Sequence, residues 1–349
     1  MYKEKRLHRS EFVPIRGLRY HVRIWDSANA SASDPAASAG PPLVLVHGWM
    51  DVGASYQFMV DAFSNAFTEG RIIIAPDWRG FGLTSGSAGS HHAAPDDTRQ
   101  ATILRDDTLG NAQGESRPEA ASLGTVDSYW FGDYLADLDF LLDHYAPGQA
   151  VDLVGHSMGG NVAMTYAGVR PERIRRLVNL EGFGQPATEP AEAPDRYAKW
   201  MDELKSLQRG DMDLKGYADV CGVAKRLMKT NPRLSEDKAN WLAMHWSRPD
   251  ATGKWQVLGD AAHKVVSANI YRADETLELY KRISMPLLAV EASDDSLGKW
   301  WKGQFTLAQY HERLKLVKQS TVAVIQDAGH MLHHDQPEQL ALMIADFLA

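Results

Sequence analysis

Six short, almost wholly apolar runs restrict the fold of this chain more than any other feature. They are LVLVH (residues 43–47), RIIIA (71–75), VDLVG (151–155), RLVNLE (176–181), LLAVE (287–291) and TVAVIQ (321–326). Each is long enough for one strand and too short for a helix. A strand with one wet face alternates apolar and polar residues, so runs this continuous need cover on both faces. Helical patterns lie between them. In SYWFGDYLADLDFLLDHY, Tyr134, Leu138, Leu141, Leu142 and Tyr145 share one face, whereas Asp133, Asp137, Asp139 and Asp143 fall mostly elsewhere. Strands alternating with helices predict an α/β protein: an eight-stranded, mostly parallel sheet with helices on both faces. FVPI (12–15) and YHVRIW (20–25) read as its antiparallel entry.

Three segments break this rhythm. Residues 29–42 are almost all small residues, Ala, Ser, Pro and Gly, which marks a mobile loop between strands. Residues 86–125 hold few large apolar side chains and no aromatic ones, so they read as a surface insertion. His91 and His92 within it have no ligand spacing around them and read as solvated. Residues 185–282 are far too long for a connection and rich in Trp and Tyr. They are expected to form a helical lid over a core made of residues 1–184 and 283–349.

The balance of charge narrows the partners. The net charge of −8 and the lack of a basic stripe argue against nucleic acid. No window approaches ~18 apolar residues, so no membrane span is expected. The charged opening MYKEKRLHRSEF has no apolar run after it, which argues against a secretory signal. The single cysteine, Cys221, can form no internal disulfide and reads as a small core residue in a cytoplasmic protein.

The chemistry concentrates at Gly155-His156-Ser157-Met158-Gly159-Gly160, between a strand and a helical stretch. Glycines two before and two after a serine allow a sharp strand-to-helix turn that lifts the hydroxyl above the strand ends. The helix beginning there favours developing negative charge. A serine hydroxyl needs a base, and His330, in DAGHMLHHDQPE after the last strand, is placed to return over it. His333 and His334 read as helix-entry and packing residues, since their spacing is uncommon for metal ligands and no acidic partner is placed for such a set. The base needs an orienting acid, and three are open: Asp295 and Asp294 after LLAVE, and Glu181 at the end of RLVNLE. Two N–H donors for an oxyanion are expected from Met158 and from Trp49 in HGWMD.

Taken together, HGW after the third strand, PDWRGFGLTS after the fourth, GHSMGG and the closing GH…DQPE resemble the α/β-hydrolase superfamily. The likeness is to its serine-hydrolase-like branch, related to epoxide hydrolases and haloalkane dehalogenases. Those carry an aspartate nucleophile where this chain has Ser157. The resemblance implies an acid after the seventh strand, which selects Asp295 first, although Ala292 replaces the usual glycine. Glu181 stands where the haloalkane-dehalogenase branch carries its acid. Asp77, Arg79, Gly80 and Gly82 are expected to be loop architecture. The implied activity is hydrolysis of a carboxylic ester or similar acyl compound, small to medium and partly apolar, without metal or organic cofactor. C–C bond hydrolysis and cofactor-free perhydrolysis use the same residues. A non-catalytic receptor is the third reading, and a homodimer is left open.

Overall fold

The computed structural model describes residues 2–26, 40–86 and 126–349. Most of the 29–42 loop and the 86–125 insertion, with His91 and His92, lie outside the described residues. The strands are β1 (Arg9–Ile15), β2 (Leu18–Trp25), β3 (Leu43–Val46), β4 (Ile73–Pro76), β5 (Ser85–Gly86), β6 (Val151–His156), β7 (Ile174–Leu180), β8 (Ser247–Pro249), β9 (Trp255–Val257), β10 (Leu287–Ala292) and β11 (Ser320–Ile325). The main sheet has the order β1-β2-β4-β3-β6-β7-β10-β11, with the two-residue β5 also paired to β2. From β4 to β11 every pairing is parallel; β2 runs antiparallel to both β1 and β4.

The continuous apolar runs are explained by two layers. Val44 and Val46 of β3 face a cluster with Leu138, Leu141, Val162 and Met164 from helices on one side. Leu43 and Leu45 face Tyr56, Met59, Ile344 and Leu348 on the other. Both clusters are out of water, so alternation would have buried a polar residue every second position. The chain steps from β3 to β4 in one direction and from β3 to β6 in the other. That reversal opens a crevice at the carboxyl ends of β3 and β6, where such sheets hold ligands.

One predicted surface residue is buried. Asp137, in the helix Phe131–Tyr145, is fully enclosed. It receives Arg79 at 2.6 and 2.7 Å, Arg16 at 3.0 Å and the Tyr20 hydroxyl at 2.9 Å. A carboxylate can sit inside when every oxygen is met by a charged or polar donor. Arg79 of the PDWRGFG loop thus clamps that loop to the helix. Asp77 of the same loop accepts the N–H groups of Gly53 and Leu83 and faces His21 at 2.7 Å.

Between β7 and β10 the chain forms the helices Ala193–Gln208, Val220–Thr230, Glu236–Trp246 and Ala273–Arg282. It also forms the hairpin β8–β9, which the all-helical expectation missed. Val223, Leu227, Leu242 and Trp246 pack on Val52, Ala54 and Phe58, just beyond the HGWMD turn. Gly82 N–H to Leu258 and Asp260 N–H to Gly80 join the same segment to the PDWRGFG loop. Cys221 is exposed rather than buried, because it lies on the outer face of an amphipathic helix.

Candidate active site

Ser157 sits at the turn between β6 and the helix Met158–Val169, with φ 53° and ψ −117°. That left-handed backbone costs a non-glycine residue free energy, and the surroundings hold it in place. The Ser157 N–H donates to Leu180 O at 2.8 Å. A Cβ on Gly159 would stand 2.2 Å from Val46 O, and one on Gly155 would stand 2.4 Å from Gly159 O. The two flanking glycines therefore let main chains touch, and the serine is wedged upward as the motif predicts.

His330 reaches the serine from the loop after β11. Its Nε2 lies 3.0 Å from Ser157 Oγ, and its Nδ1 lies 3.2 Å from Glu181 Oε2. Its main chain is held twice. His156 Nε2 donates to the His330 carbonyl at 2.8 Å, and the neighbouring Gly329 N–H donates to Asp335 at 2.9 Å. The indole of Trp300, exposed on its far side, stands edge-on to the His330 ring at 5.4 Å.

Glu181, not Asp295, is the carboxylate beside His330. Glu181 follows β7, is buried, and has φ 57°, which tips its side chain across the strand ends. Its Oε1 accepts the Ala292 N–H at 2.8 Å, and its Oε2 accepts the Ser296 hydroxyl as well as facing His330. Asp295 is spent on local structure. It caps the helix Ser296–Trp301, accepting the Gly298 N–H at 2.7 Å. A short polar side chain at a helix start satisfies an otherwise unpaired amide there, so its carboxylate turns away from His330. Asp294 is half-exposed and pairs with Arg233 at 3.0 Å. Ser296 escaped sequence reasoning because a lone serine after DD carries no signal of its own. His156 was likewise visible in GHSMGG without an evident task.

The HGWM turn lies against the nucleophile. A Cβ on Gly48 would meet Ser157 Cβ at 3.1 Å. His47 Nε2 accepts the Trp78 N–H at 2.9 Å, so its proton is on Nδ1, which donates to Gly48 O at 2.8 Å. Holding that carbonyl fixes the Gly48–Trp49 peptide, and the Trp49 N–H points the opposite way. Burial pushes the His47 imidazole down to about 4, which keeps it neutral and able to accept. Met158 opens the helix, where N–H groups lack helical partners. The Trp49 indole, half-exposed, donates to His263 O at 3.3 Å and so ties this turn to the segment between β7 and β10.

The family-level sequence pattern of the alpha/beta hydrolase fold matches residues 41–337. The chain belongs to the α/β-hydrolase family. This α/β hydrolase is 31% identical over 318 residues to a cis-3-alkyl-4-alkyloxetan-2-one decarboxylase of Shewanella oneidensis, covering 88% of this chain and 82% of that protein. It is 23% identical to a serine hydrolase-like protein of Danio rerio, covering 89% and 82%. Among solved structures, a thioesterase domain from the curacin biosynthetic pathway superposes with a TM-score of 0.69 at 22% identity, covering 97% of this chain and 99% of that one. Its named relatives include hydrolases and esterases, and the chain is an enzyme of that superfamily. No helix among the described residues of this α/β hydrolase is long and apolar enough to cross a membrane.

Proposed function

We propose that the chain is a serine hydrolase of carboxylic esters or kindred acyl compounds, with Ser157 as nucleophile, His330 as base and Glu181 as the orienting acid. The observation that carries this reading is the unbroken chain Ser157 Oγ to His330 Nε2 at 3.0 Å and His330 Nδ1 to Glu181 at 3.2 Å. His330 takes the hydroxyl proton as Oγ bonds to the acyl carbon. The amides of Met158 and Trp49 face the oxygen that gains charge. The carbonyl re-forms, the leaving alcohol departs with the proton, and an acyl-enzyme remains. Water, deprotonated by His330, then releases the acid and returns the proton to Ser157. Glu181 holds the Nδ1 proton and stabilises the transient imidazolium.

The residues 185–282 are proposed as the lid. They close the crevice from above, and with Trp49 and Trp300 they offer apolar walls suited to a partly apolar small molecule. An oxetan-2-one is a strained cyclic ester, so the 31% identical relative's named substrate carries an acyl group, although the reaction named for that protein is decarboxylation rather than acyl transfer. The C–C reading rests on relatives that match less of the chain, such as a 2-hydroxymuconate semialdehyde hydrolase over 49% of it.

The test is turnover of p-nitrophenyl esters of increasing acyl length, and of an alkyl oxetan-2-one, by the wild type and Ser157→Ala in parallel. Fluorophosphonate labelling is measured on both. Ester turnover and labelling that both vanish in Ser157→Ala are expected. Labelling without ester turnover would move the substrate to a C–C bond. A wild type that neither turns over nor labels would sink the nucleophile assignment.

A further inference from the structure

Beneath the nucleophile turn, three buried side chains converge with unused ligand atoms. Asp51 Oδ2, both nitrogens of His333, and His156 Nδ1 are enclosed and have no hydrogen-bond partner among the described residues. One ligand atom from each of Asp51, His156 and His333 lies within 4.8 Å of the others. All three residues are at least nine-tenths buried. Leaving such atoms unpaired in a dry interior costs about 1–3 kcal/mol each, so the arrangement calls for an occupant. Sequence spacing sets His333 aside as a metal ligand because it places no acidic partner for it; folding brings Asp51 there, from a loop close to the other end of the chain.

We propose that Asp51, His156 and His333 form a binding site for a first-row divalent transition metal ion such as Zn²⁺. Two imidazole nitrogens and one carboxylate oxygen suit that class, whereas Mg²⁺ and Ca²⁺ prefer all-oxygen sites. The tautomers agree. His156 Nε2 carries its proton toward the His330 carbonyl, which leaves Nδ1 as a lone-pair donor. Asp51 Oδ1 is engaged by the Val52 N–H and the Ser55 hydroxyl, which steadies the carboxylate and leaves Oδ2 for the ion. Such hydrogen bonding of the non-ligating atoms is how proteins aim metal ligands. His333 has both ring nitrogens free, so either can turn toward the ion. Bonds to zinc of about 2.0–2.2 Å put ligand atoms roughly 3.3 Å apart, so the three would draw together by up to about 1.5 Å.

The place of the site gives it a consequence. His156 adjoins Ser157, Asp51 follows closely on Trp49, and His333 follows closely on His330. A bound ion would cross-link the nucleophile turn, the HGWM turn and the histidine loop. Its pull on His156 Nδ1 would also strengthen the Nε2–H donated to His330 O.

The experiment uses the full chain, stripped with a chelator and dialysed, then titrated with Zn²⁺ by calorimetry. One ion per chain and a raised melting temperature are expected. Asp51→Asn and His333→Gln should each weaken binding by at least ~100-fold, beyond the ~10–100-fold typical of losing a mere outer partner. The double variant His91→Gln/His92→Gln, which removes a rival pair in the 86–125 segment, should bind as the wild type does. Because the buried variants could misfold, a zinc-edge anomalous difference map of wild-type crystals grown with Zn²⁺ is the second measurement. A peak among Asp51, His156 and His333 supports the site. No bound ion, a peak elsewhere, or binding lost only in the His91/His92 variant overturns it.

Discussion

Glu181→Gln should disable the enzyme by reversing one proton. The amide oxygen of the substituted side chain would keep the Ala292 N–H, since Glu181 Oε1 accepts that N–H at 2.8 Å. The NH₂ group then occupies the position of Oε2, 3.2 Å from His330 Nδ1. An NH₂ group can only donate there, so Nδ1 must become the acceptor and the ring proton moves to Nε2. That proton points at Ser157 Oγ, 3.0 Å away, and the ring can no longer take the hydroxyl proton. The same wrong-tautomer change in serine proteases costs ~10⁴ in kcat, or about 5.5 kcal/mol. Flipping the amide would return an acceptor to the Nδ1 proton, but it would aim an NH₂ at the Ala292 N–H in a buried setting, and that unpaired donor, worth about 1–3 kcal/mol, disfavours the flip. Asp295→Asn, by contrast, keeps a competent helix cap and should leave kcat within about twofold, because Asn and Asp cap equally well. Steady-state ester turnover with KM measured separately reads both, and KM should change little. If Glu181→Gln kept kcat within about tenfold of wild type, or Asp295→Asn fell as far as the ~10⁴ expected of a lost acid, the assignment would be wrong.

Ser296→Ala removes the hydroxyl on the same Glu181 oxygen, and kcat should fall by up to ~10-fold with KM steady; an unchanged kcat would make Ser296 merely structural. Asp137→Ala removes a fully buried carboxylate and leaves the partly buried Arg79 only Asp133, 3.5 Å away, so it should cost up to about 3–5 kcal/mol in urea unfolding; a loss under about 1 kcal/mol would refute the clamp. Stability should also fall with acid. Burial lowers His47 to about 4 and His263 to about 3, whereas an unfolded histidine titrates near ~6.5. The unfolded chain therefore binds protons that the fold refuses. Stability is whole above pH ~6.5 and declines below it, by about 1.4 kcal/mol per residue at pH ~5.5. His263→Phe, placed between Phe81 and Tyr129, should flatten that slope, as urea midpoints at the two pH values would show.

What could be read in the chain itself was contiguous. The strand, the glycines and the helix around Ser157 are neighbours in sequence, so the turn is legible locally, even though its strained backbone is held by Leu180 and Val46 from neighbouring strands. The apolar runs likewise announced a sheet covered on both faces, because burial on two sides leaves no room for alternation. The HGWM turn and the loop of His330 each follow a recognisable strand, and their placement comes from strand order alone. The acid was different. Glu181 and His330 are 149 residues apart, and which of three carboxylates meets the ring depends on how far each side chain leans past its strand. Asp295 had the expected address but a nearer claimant, the Gly298 amide of its own helix. Asp137 looked like solvent decoration on a helix until Arg79, Arg16 and Tyr20 arrived from other elements. The meeting of Asp51 with His156 and His333 was equally invisible, since convergence of distant side chains is a property of packing in three dimensions and leaves no period or spacing along the chain.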